Sequence, residues 1–335
     1  MKMKTKTLRN LLLSIILSLT FLFIIIGFSD IKVTIKAIKN VSFLWFCLAA
    51  LSAFAVWMFE ALTMKIFSVV TTKKMSYLYL LKITLIGSFF SAITPLSTGG
   101  QPAQIAYMTK NNIEGGKATA IVISRFIAYQ IALTLFGLVG VLVAYPFVSK
   151  NVSNWAFLVF IGFIVNSGVL ILALLLSLKK KVAVFLVKII IKPLGWLRII
   201  KKPKKVESKM LEEAHYFNNH MKKMLSRPLS FILAFLSSSM RLLAFISVPY
   251  FVILSLGLNY GFFEIIATQL VLFIIFSMAP TPGASGASEA GYMLFFSNYF
   301  GNKITAGLLI WRFLTYYVNL IIGGILTSIE TKRSI

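Results

Sequence analysis

The stretch Thr94-Pro95-Leu96-Ser97-Thr98-Gly99-Gly100-Gln101-Pro102-Ala103 interrupts an otherwise apolar region of the sequence. A matching stretch, Thr281-Pro282-Gly283-Ala284-Ser285-Gly286-Ala287-Ser288-Glu289-Ala290, interrupts a second apolar region 187 residues later. The same offset places Arg125 on Arg312 and Tyr129 on Tyr316 without a gap. Proline and glycine break helices, and irregular backbone at membrane depth is tolerated only inside protein or around a wet cavity. Two such segments in matching halves are typical of transporters built from internal repeats.

The composition indicates a polytopic helical membrane protein. The 335 residues are 59% hydrophobic and 13% charged, and the mean hydropathy is +0.89. A soluble domain cannot hide that much apolar surface. The 34 Lys and Arg residues against nine Asp and Glu give a formal net charge of +25. Because the basic residues flank the apolar runs, we expect an anionic membrane surface as their partner and no nucleic acid.

The sequence offers no pattern for a catalytic, metal or cofactor site. Cys47 is the single cysteine and lies in an apolar run, which excludes an internal disulfide and a multi-cysteine metal site. His215 and His220 lie in a polar stretch and are interpreted as surface residues. No nucleophile set or phosphate-binding glycine loop is found. We therefore expect neither a cofactor nor a metal.

Six apolar stretches are long enough to cross a bilayer, and two more are split by the proline-glycine breaks. The predicted spans are residues 11–28, 41–62, 118–145, 153–178, 230–256 and 304–328, and the split stretches are 77–108 and 262–300. The first run resembles a signal peptide but lacks a small-residue cleavage site, so it is interpreted as an uncleaved span.

Charge decides how the split stretches lie in the membrane. Segment 179–229 holds 14 Lys and Arg residues and is predicted to be a cytoplasmic basic loop, as is the N-terminus. These two assignments agree only if 77–108 enters and leaves by the same face. Applied to 262–300, the same reasoning makes residues 1–150 and 151–335 inverted repeats, each with one re-entrant helical hairpin, and places both termini in the cytoplasm. The predicted fold class is an all-α polytopic membrane protein.

Two sets of basic residues remain outside this scheme. Lys32, Lys36 and Lys39 fall in the first outer loop, where the positive-inside rule does not explain them. Residues 182–205 mix apolar residues with lysines and are predicted to form one or two interfacial helices on the cytoplasmic face.

Arg125 and Arg312 lie about 10–12 Å inside the ends of their predicted spans. An arginine at that depth is costly unless it is paired or hydrated. One hypothesis is that each binds a lipid phosphate in one of two access states. The other is that each caps carbonyls released by the broken hairpin. Glu289 has Pro102 as its equivalent, and its open roles are a pair with Arg312, contact with a cationic headgroup, or proton coupling.

Other polar residues near the breaks are also candidates for substrate binding. Gln101 and Gln104 offer donors and acceptors suited to hydroxyls and phosphate oxygens. Tyr129 and Tyr316 follow the arginines by one helical turn, where they bind the same ligand or pack. Arg241 is a further candidate with no partner assigned.

Two structural features remain open at this stage. Glu60 is interpreted as a local partner of Lys65. The breaks themselves are interpreted either as tight re-entrant turns or as amides left free for anions, and the residues in question are Pro95, Gly99, Gly100, Pro282, Gly283 and Gly286.

The two breaks match a known family. The run from Pro282 to Ala290 resembles the Pro-Gly-x-x-Gly-x-x-Glu signature of the lysylphosphatidylglycerol synthase/flippase transmembrane family, with Ala284 and Ala287 where that family often has glycine. The run from Thr94 to Pro102 is similar to its N-terminal partner motif, and both arginines fit. The resemblance implies a flippase domain that moves lysyl-phosphatidylglycerol outward and protects against cationic peptides. The family's soluble aminoacyltransferase domain is not expected after Ile335.

The leading functional hypothesis is therefore a non-enzymatic lipid flippase in the bacterial cytoplasmic membrane. Its partner would be a phospholipid or another phosphate-bearing lipid. A carrier of polyprenyl-phosphate or of a lipid-linked sugar needs the same phosphate contact. A membrane subunit that scaffolds a separate lipid synthase is the alternative from another class, and an enzyme acting on headgroups is disfavoured.

Overall fold

A computed structural model describes residues 29–69, 75–148, 155–179, 203–276 and 279–333, with isolated positions between 16 and 27 and between 181 and 189. Within these ranges the chain is almost entirely helical and forms no strand. Most of the predicted span 11–28 and most of the predicted interfacial segment 182–205 lie outside the described residues.

Twelve α-helices are defined in the described part of the chain. They are α1 (Ile31–Lys39), α2 (Phe43–Val69), α3 (Tyr77–Ala92), α4 (Gly100–Lys110), α5 (Gly115–Val148), α6 (Trp155–Leu178), α7 (Pro203–Leu225), α8 (Pro228–Ser255), α9 (Phe262–Phe276), α10 (Ala287–Phe300), α11 (Ile304–Arg312) and α12 (Val318–Arg333). A 3₁₀ turn, Gly301–Lys303, precedes α11, and a π-helical turn, Phe313–Tyr317, joins α11 to α12.

The helices confirm an all-α polytopic membrane protein. Five helical stretches are long and apolar enough to cross a bilayer, namely Phe43–Ser68, Gly115–Phe147, Trp155–Leu178, Pro228–Ser255 and Ala287–Glu330. The last stretch contains the turn at Gly301, where φ is +52°, so α10 is separate from the long helix α11–α12. These helices agree with five of the six predicted spans.

Two helix pairs, α3 with α4 and α9 with α10, form the interrupted hairpins. The longest of the four, α3, has 16 residues and is about 24 Å long, which is shorter than a hydrocarbon core of about 30 Å. The two tips share a pair of left-handed residues: Leu96 and Gly283 adopt φ of 54° and 58°, and Ser97 and Ala284 both adopt 54°. They differ at the following equivalent glycines, because Gly99 has φ of -78° and Gly286 has φ of +88°. Each tip therefore begins with the same two left-handed residues and then continues differently.

The two tips meet each other. Pro95 and Pro282, which are equivalent under the offset of 187, form an isolated antiparallel bridge. The most extensive helix–helix contact joins α2 to α8, which are also equivalent. Each hairpin packs on a span of the other half, α3 on α12 and α9 on α5. Equivalent elements thus meet at the centre, as around a two-fold axis. The boundary at residue 150 and the inversion across the membrane stay predictions.

Two helices were not predicted from the sequence. The first is α1, in the loop of three lysines. The second is α7, which begins at Pro203, a residue favoured in the first helical turn. Asn218 of α7 donates from Nδ2 to the carbonyls of Leu176 and Ser177 at 2.8 and 3.1 Å. The end of α6 would otherwise leave these acceptors open, so α7 closes that end of the molecule.

Candidate functional site

Four helices bring polar side chains together around Glu60 of α2. Its Oε1 lies 2.8 Å from Nη1 of Arg125 on α5, and its Oε2 accepts from Nε of Arg241 on α8 at 2.9 Å. Gln104 of α4 donates from Nε2 to Oε1 of Glu60 at 3.3 Å. We call these four residues the Glu60 cluster. Arg125, Arg241 and Gln104 were candidates for substrate binding in the sequence, whereas Glu60 was predicted to pair with Lys65.

The Glu60 cluster is largely buried in protein. Glu60, Gln104 and Arg125 are 6%, 2% and 7% exposed, and the side chain of Arg241 is 20% exposed. Arg125 also donates from Nη2 to Oε1 of Gln104 at 3.4 Å. The Arg241 guanidinium lies over the Tyr129 ring, 4.2 Å from its centroid, in a cation–π contact. Tyr129 therefore belongs to the site through Arg241.

The charges in the Glu60 cluster do not balance. Two guanidinium groups face one carboxylate, which leaves one excess positive charge. In addition, Nε of Arg125 is buried without a hydrogen-bond partner in the described structure. A buried charge or donor without a partner is costly, because nothing replaces the water it has lost. The cluster thus carries a net positive charge and one buried donor whose hydrogen bond is unmade.

The second hairpin carries a different arrangement, built on Glu289 of α10. Nε and Nη2 of Arg312 each lie 2.7 Å from Oε1 of Glu289. The other carboxylate oxygen accepts from the amide of Gly286 at 2.7 Å, which caps the start of α10. Glu289 is fully buried and Arg312 is 4% exposed. This ion pair is one of the roles left open for Glu289, and it is electrically neutral.

Arg312 also donates hydrogen bonds to the tip of the second hairpin. Its Nη1 and Nη2 lie 3.4 and 3.5 Å from the carbonyl oxygen of Gly283, to which they donate. The guanidinium lies 4.7 Å from the centroid of the Tyr316 ring. The Tyr316 hydroxyl donates to the carbonyl of Ala92 in the first hairpin at 3.4 Å. We call Glu289, Arg312 and Tyr316 the Glu289 cluster; it connects the two hairpins.

The two clusters are not copies of each other. The equivalent of Glu289 is Pro102, and the equivalent of Glu60 is Ser247. Each arginine is paired, but its carboxylate comes from a different part of the repeat. The predicted local pair of Glu60 with Lys65 is wrong, because Lys65 donates to the carbonyl of Met75 instead. The sequence signal for the real pair was that Glu60 is the one acidic residue of the apolar span 41–62, where an acid needs a cation.

The glycines of the breaks serve close packing and turn geometry. The amide of Gly99 donates to Oγ1 of Thr94 at 2.8 Å, and that of Gly286 to Glu289. These two amides therefore already have acceptors, which favours tight turns over anion binding. A Cβ at Gly100 would lie 2.1 Å from the Ser91 hydroxyl oxygen, and one at Gly283 would lie 2.2 Å from the Tyr316 ring. Gln101, the remaining candidate, is half-buried near the start of α4.

Comparison with known proteins assigns the fold to a family. A UPF0104 membrane protein from Archaeoglobus fulgidus is 25% identical over 330 residues, covering 96% of this chain and 98% of that protein. The family described as the lysylphosphatidylglycerol synthase TM region matches residues 11–323. This match includes both breaks, both arginines, Glu60 and Glu289. The chain therefore belongs to the lysylphosphatidylglycerol synthase transmembrane-region family.

Proposed function

We propose that this protein moves an anionic or aminoacylated phospholipid, of the lysyl-phosphatidylglycerol type, between the leaflets of the bacterial cytoplasmic membrane. The observation that carries the proposal is the excess positive charge of the Glu60 cluster, together with the unpartnered Nε of Arg125. A lipid phosphate supplies both the missing negative charge and the missing acceptor. Its acyl chains remain in the bilayer while the headgroup passes between the hairpins.

The geometry of the cluster suits a phosphate. The planar guanidinium groups of Arg125 and Arg241 match phosphate oxygens bidentately and remain charged at any physiological pH. Arg241 is the more accessible of the two, with 20% of its side chain exposed. We infer that the ligand first meets Arg241 and then draws Arg125 away from Glu60. The amide of Gln104 remains beside it to donate to a second oxygen.

The neutral Glu289 cluster plays a different part. A phosphate that approaches Arg312 has to replace Glu289, which is already bonded to Nε and Nη2. The Glu289 cluster therefore holds an anion more weakly than the Glu60 cluster. The lipid is accordingly bound at the Glu60 cluster and released beyond the Glu289 cluster. A lysyl headgroup carries two ammonium groups, and Glu289 can pair with one of them once Arg312 turns to the phosphate. This exchange is the reason to favour an aminoacylated lipid.

We further propose that the chain acts without covalent chemistry. The two clusters consist of arginine, glutamate, glutamine and tyrosine in ion pairs and ring contacts, which serve binding. The family description concerns the membrane region of a synthase, and the name of the Archaeoglobus fulgidus relative states no activity. A polyprenyl-phosphate would meet the same cluster, and the assay below distinguishes it from a phospholipid.

The test is lipid translocation by the purified protein in liposomes. Lysyl-phosphatidylglycerol, phosphatidylglycerol, phosphatidylcholine and a polyprenyl-phosphate, each with a fluorophore on its hydrophobic tail, are compared by accessibility to an external quencher. We expect Arg125→Gln and Arg241→Gln each to slow translocation at least about tenfold, because a charge-assisted hydrogen bond is worth about 1.5–3 kcal/mol. Arg227→Gln, at the exposed start of α8, is the matched control.

Each outcome of this assay has a defined meaning. Wild-type rates for folded Arg125→Gln and Arg241→Gln proteins would refute the role of the Glu60 cluster. Transport of phosphatidylcholine at the same rate as lysyl-phosphatidylglycerol and phosphatidylglycerol would refute the proposed headgroup selectivity. Faster movement of the polyprenyl-phosphate than of either phosphatidylglycerol would assign the site to that substrate instead.

A further inference from the structure

The short helix α1 carries two parallel stripes of exposed side chains. Its start is capped by Asp30, whose Oδ1 accepts from the amide of Val33 at 3.1 Å. Thr34 and Ala37 are buried against the protein. One exposed stripe is apolar and consists of Ile31, Ile35 and Ile38, at positions i, i+4 and i+7. The neighbouring stripe is basic, has the same spacing and consists of Lys32, Lys36 and Lys39. This arrangement explains why three lysines occur in one loop.

The position of α1 places it at the end of the molecule away from α7. It packs on the Gly301–Lys303 turn and α11, and Ser29 bonds to Thr305 there at 2.6 Å. The amide of Ser42 donates to the carbonyl of Ser255 at 2.8 Å, so the last residue of α8 also lies at this end. The 28 residues of α8 extend about 42 Å from the side of α7 to the side of α1. That length exceeds a hydrocarbon core of about 30 Å, so α1 lies at a bilayer surface.

The exposed stripes fit the boundary between headgroups and acyl chains. Ile31, Ile35 and Ile38 are 53%, 49% and 41% exposed, which is unfavourable in water and favourable in the acyl layer. No acidic side chain in the described ranges forms an ion pair with the three lysines. An open groove of about 420 Å³ runs beside them, lined by Lys32, Ile35, Lys36, Lys39 and Asn40. Three of its five lining residues are lysines, and Ile35 is the apolar one.

We propose that α1 is a binding surface for the anionic phospholipids of the leaflet at its end of the molecule. The three ammonium groups contact lipid phosphates, and the isoleucines lie among the upper acyl carbons. Lysine stems are long enough to reach the headgroups from a helix at this depth. A soluble acidic polypeptide would match the lysines but leave the isoleucine stripe in water. Binding at α1 does not depend on the proposed transport function and is measured separately from it.

The test measures which lipid surrounds α1 in the full-length protein. In a Cys47→Ser background, Asn40→Cys carries an environment-sensitive fluorophore in nanodiscs of phosphatidylcholine and phosphatidylglycerol. Brominated acyl chains on one lipid or the other report its local concentration by quenching. We expect phosphatidylglycerol to be enriched at least about fivefold over phosphatidylcholine, the effect of about one surface lysine. We expect 0.5 M salt to reduce this enrichment, because the Debye length then falls below about 5 Å.

Two triple variants make the result specific. Lys32→Gln, Lys36→Gln and Lys39→Gln together should abolish the enrichment. Lys110→Gln, Lys222→Gln and Lys223→Gln remove the same charge at exposed positions on α4 and α7 and should leave it intact. Equal quenching by both lipids in the wild-type protein, or the same loss in both triple variants, would overturn the proposal. So would a water-exposed fluorophore that responds to soluble polyglutamate and to neither brominated lipid.

Discussion

Pro95 and Pro282, 187 residues apart, lie opposite each other in an antiparallel bridge between the tips of the two hairpins. They are the same position in the two copies of the sequence pattern. A contact between equivalent positions is what a local two-fold axis produces. In the transport function proposed above, this meeting point would be the place where the pathways from the two sides join.

A disulfide at this bridge should hold the tips together. The Cα atoms of residues paired in an antiparallel bridge lie about 4.5–5.5 Å apart, which is within the range for a disulfide. In a Cys47→Ser background, we expect Pro95→Cys with Pro282→Cys to cross-link under a mild oxidant and to stop lipid translocation. Reduction should restore it.

The single variants Pro95→Cys and Pro282→Cys control for the loss of proline. They should translocate lipid equally well with or without oxidant. If the cross-linked double variant translocates at the rate of its reduced form, the tips do not separate during transport.

The sequence predicted the features that the repeat makes visible. The two breaks, Arg125 and Arg312 stand out because one offset superposes them, and Glu289 stands out because it disturbs the match. The ion pair of Glu289 with Arg312 was one of the three roles that the sequence left open for Glu289, and the structure shows it. These features can be read from the order of residues within each repeat.

The sequence did not predict the features that depend on helix packing. Glu60 meets Arg125 and Arg241 only after α2 packs on α8 across the centre of the molecule, and nothing in their spacing indicates it. Helix α1 has nine residues, too few for its periodicity to stand out beside long apolar spans. Leu96 and Ser97 gave no sign of a left-handed turn, because glycine usually occupies such positions.

Leu96 should be a site where glycine stabilises the fold. Its φ of 54° costs a leucine about 1–2 kcal/mol relative to right-handed backbone, and its side chain is 44% exposed. We expect Leu96→Gly to raise the unfolding free energy by about 1 kcal/mol, measured as a shift in thermal unfolding in detergent.

Gly283→Ala is the opposite case, because its Cβ would lie 2.2 Å from the Tyr316 ring. It should lower stability, and a gain in Gly283→Ala would show that the turn relaxes.

The Glu60 cluster should show strong coupling between its charges. Glu60→Gln leaves the buried guanidinium of Arg125 and the half-buried one of Arg241 without a carboxylate, and breaking a buried ion pair costs about 3–5 kcal/mol. Adding Arg241→Gln removes one of these charges, so we expect the double variant to be more stable than Glu60→Gln alone. Denaturant unfolding of the wild type, both single variants and the double variant gives the coupling energy. Additive effects would mean that Arg241 and Glu60 do not interact in solution.

Glu289→Gln should make the second cluster resemble the first. The amide oxygen can still accept from Gly286, which preserves the cap of α10, but Arg312 then carries an unbalanced buried charge. We expect the unfolding free energy to fall by about 3 kcal/mol in neutral detergent, since the pair is broken while one partner remains.

A ligand that binds the folded state restores stability by mass action, so added phosphatidylglycerol should stabilise Glu289→Gln more than the wild type. Glu264→Gln, at a half-buried acid on α9, is the matched control and should respond as the wild type does. Equal responses of Glu289→Gln and Glu264→Gln to the lipid would show that a freed Arg312 does not bind phosphate.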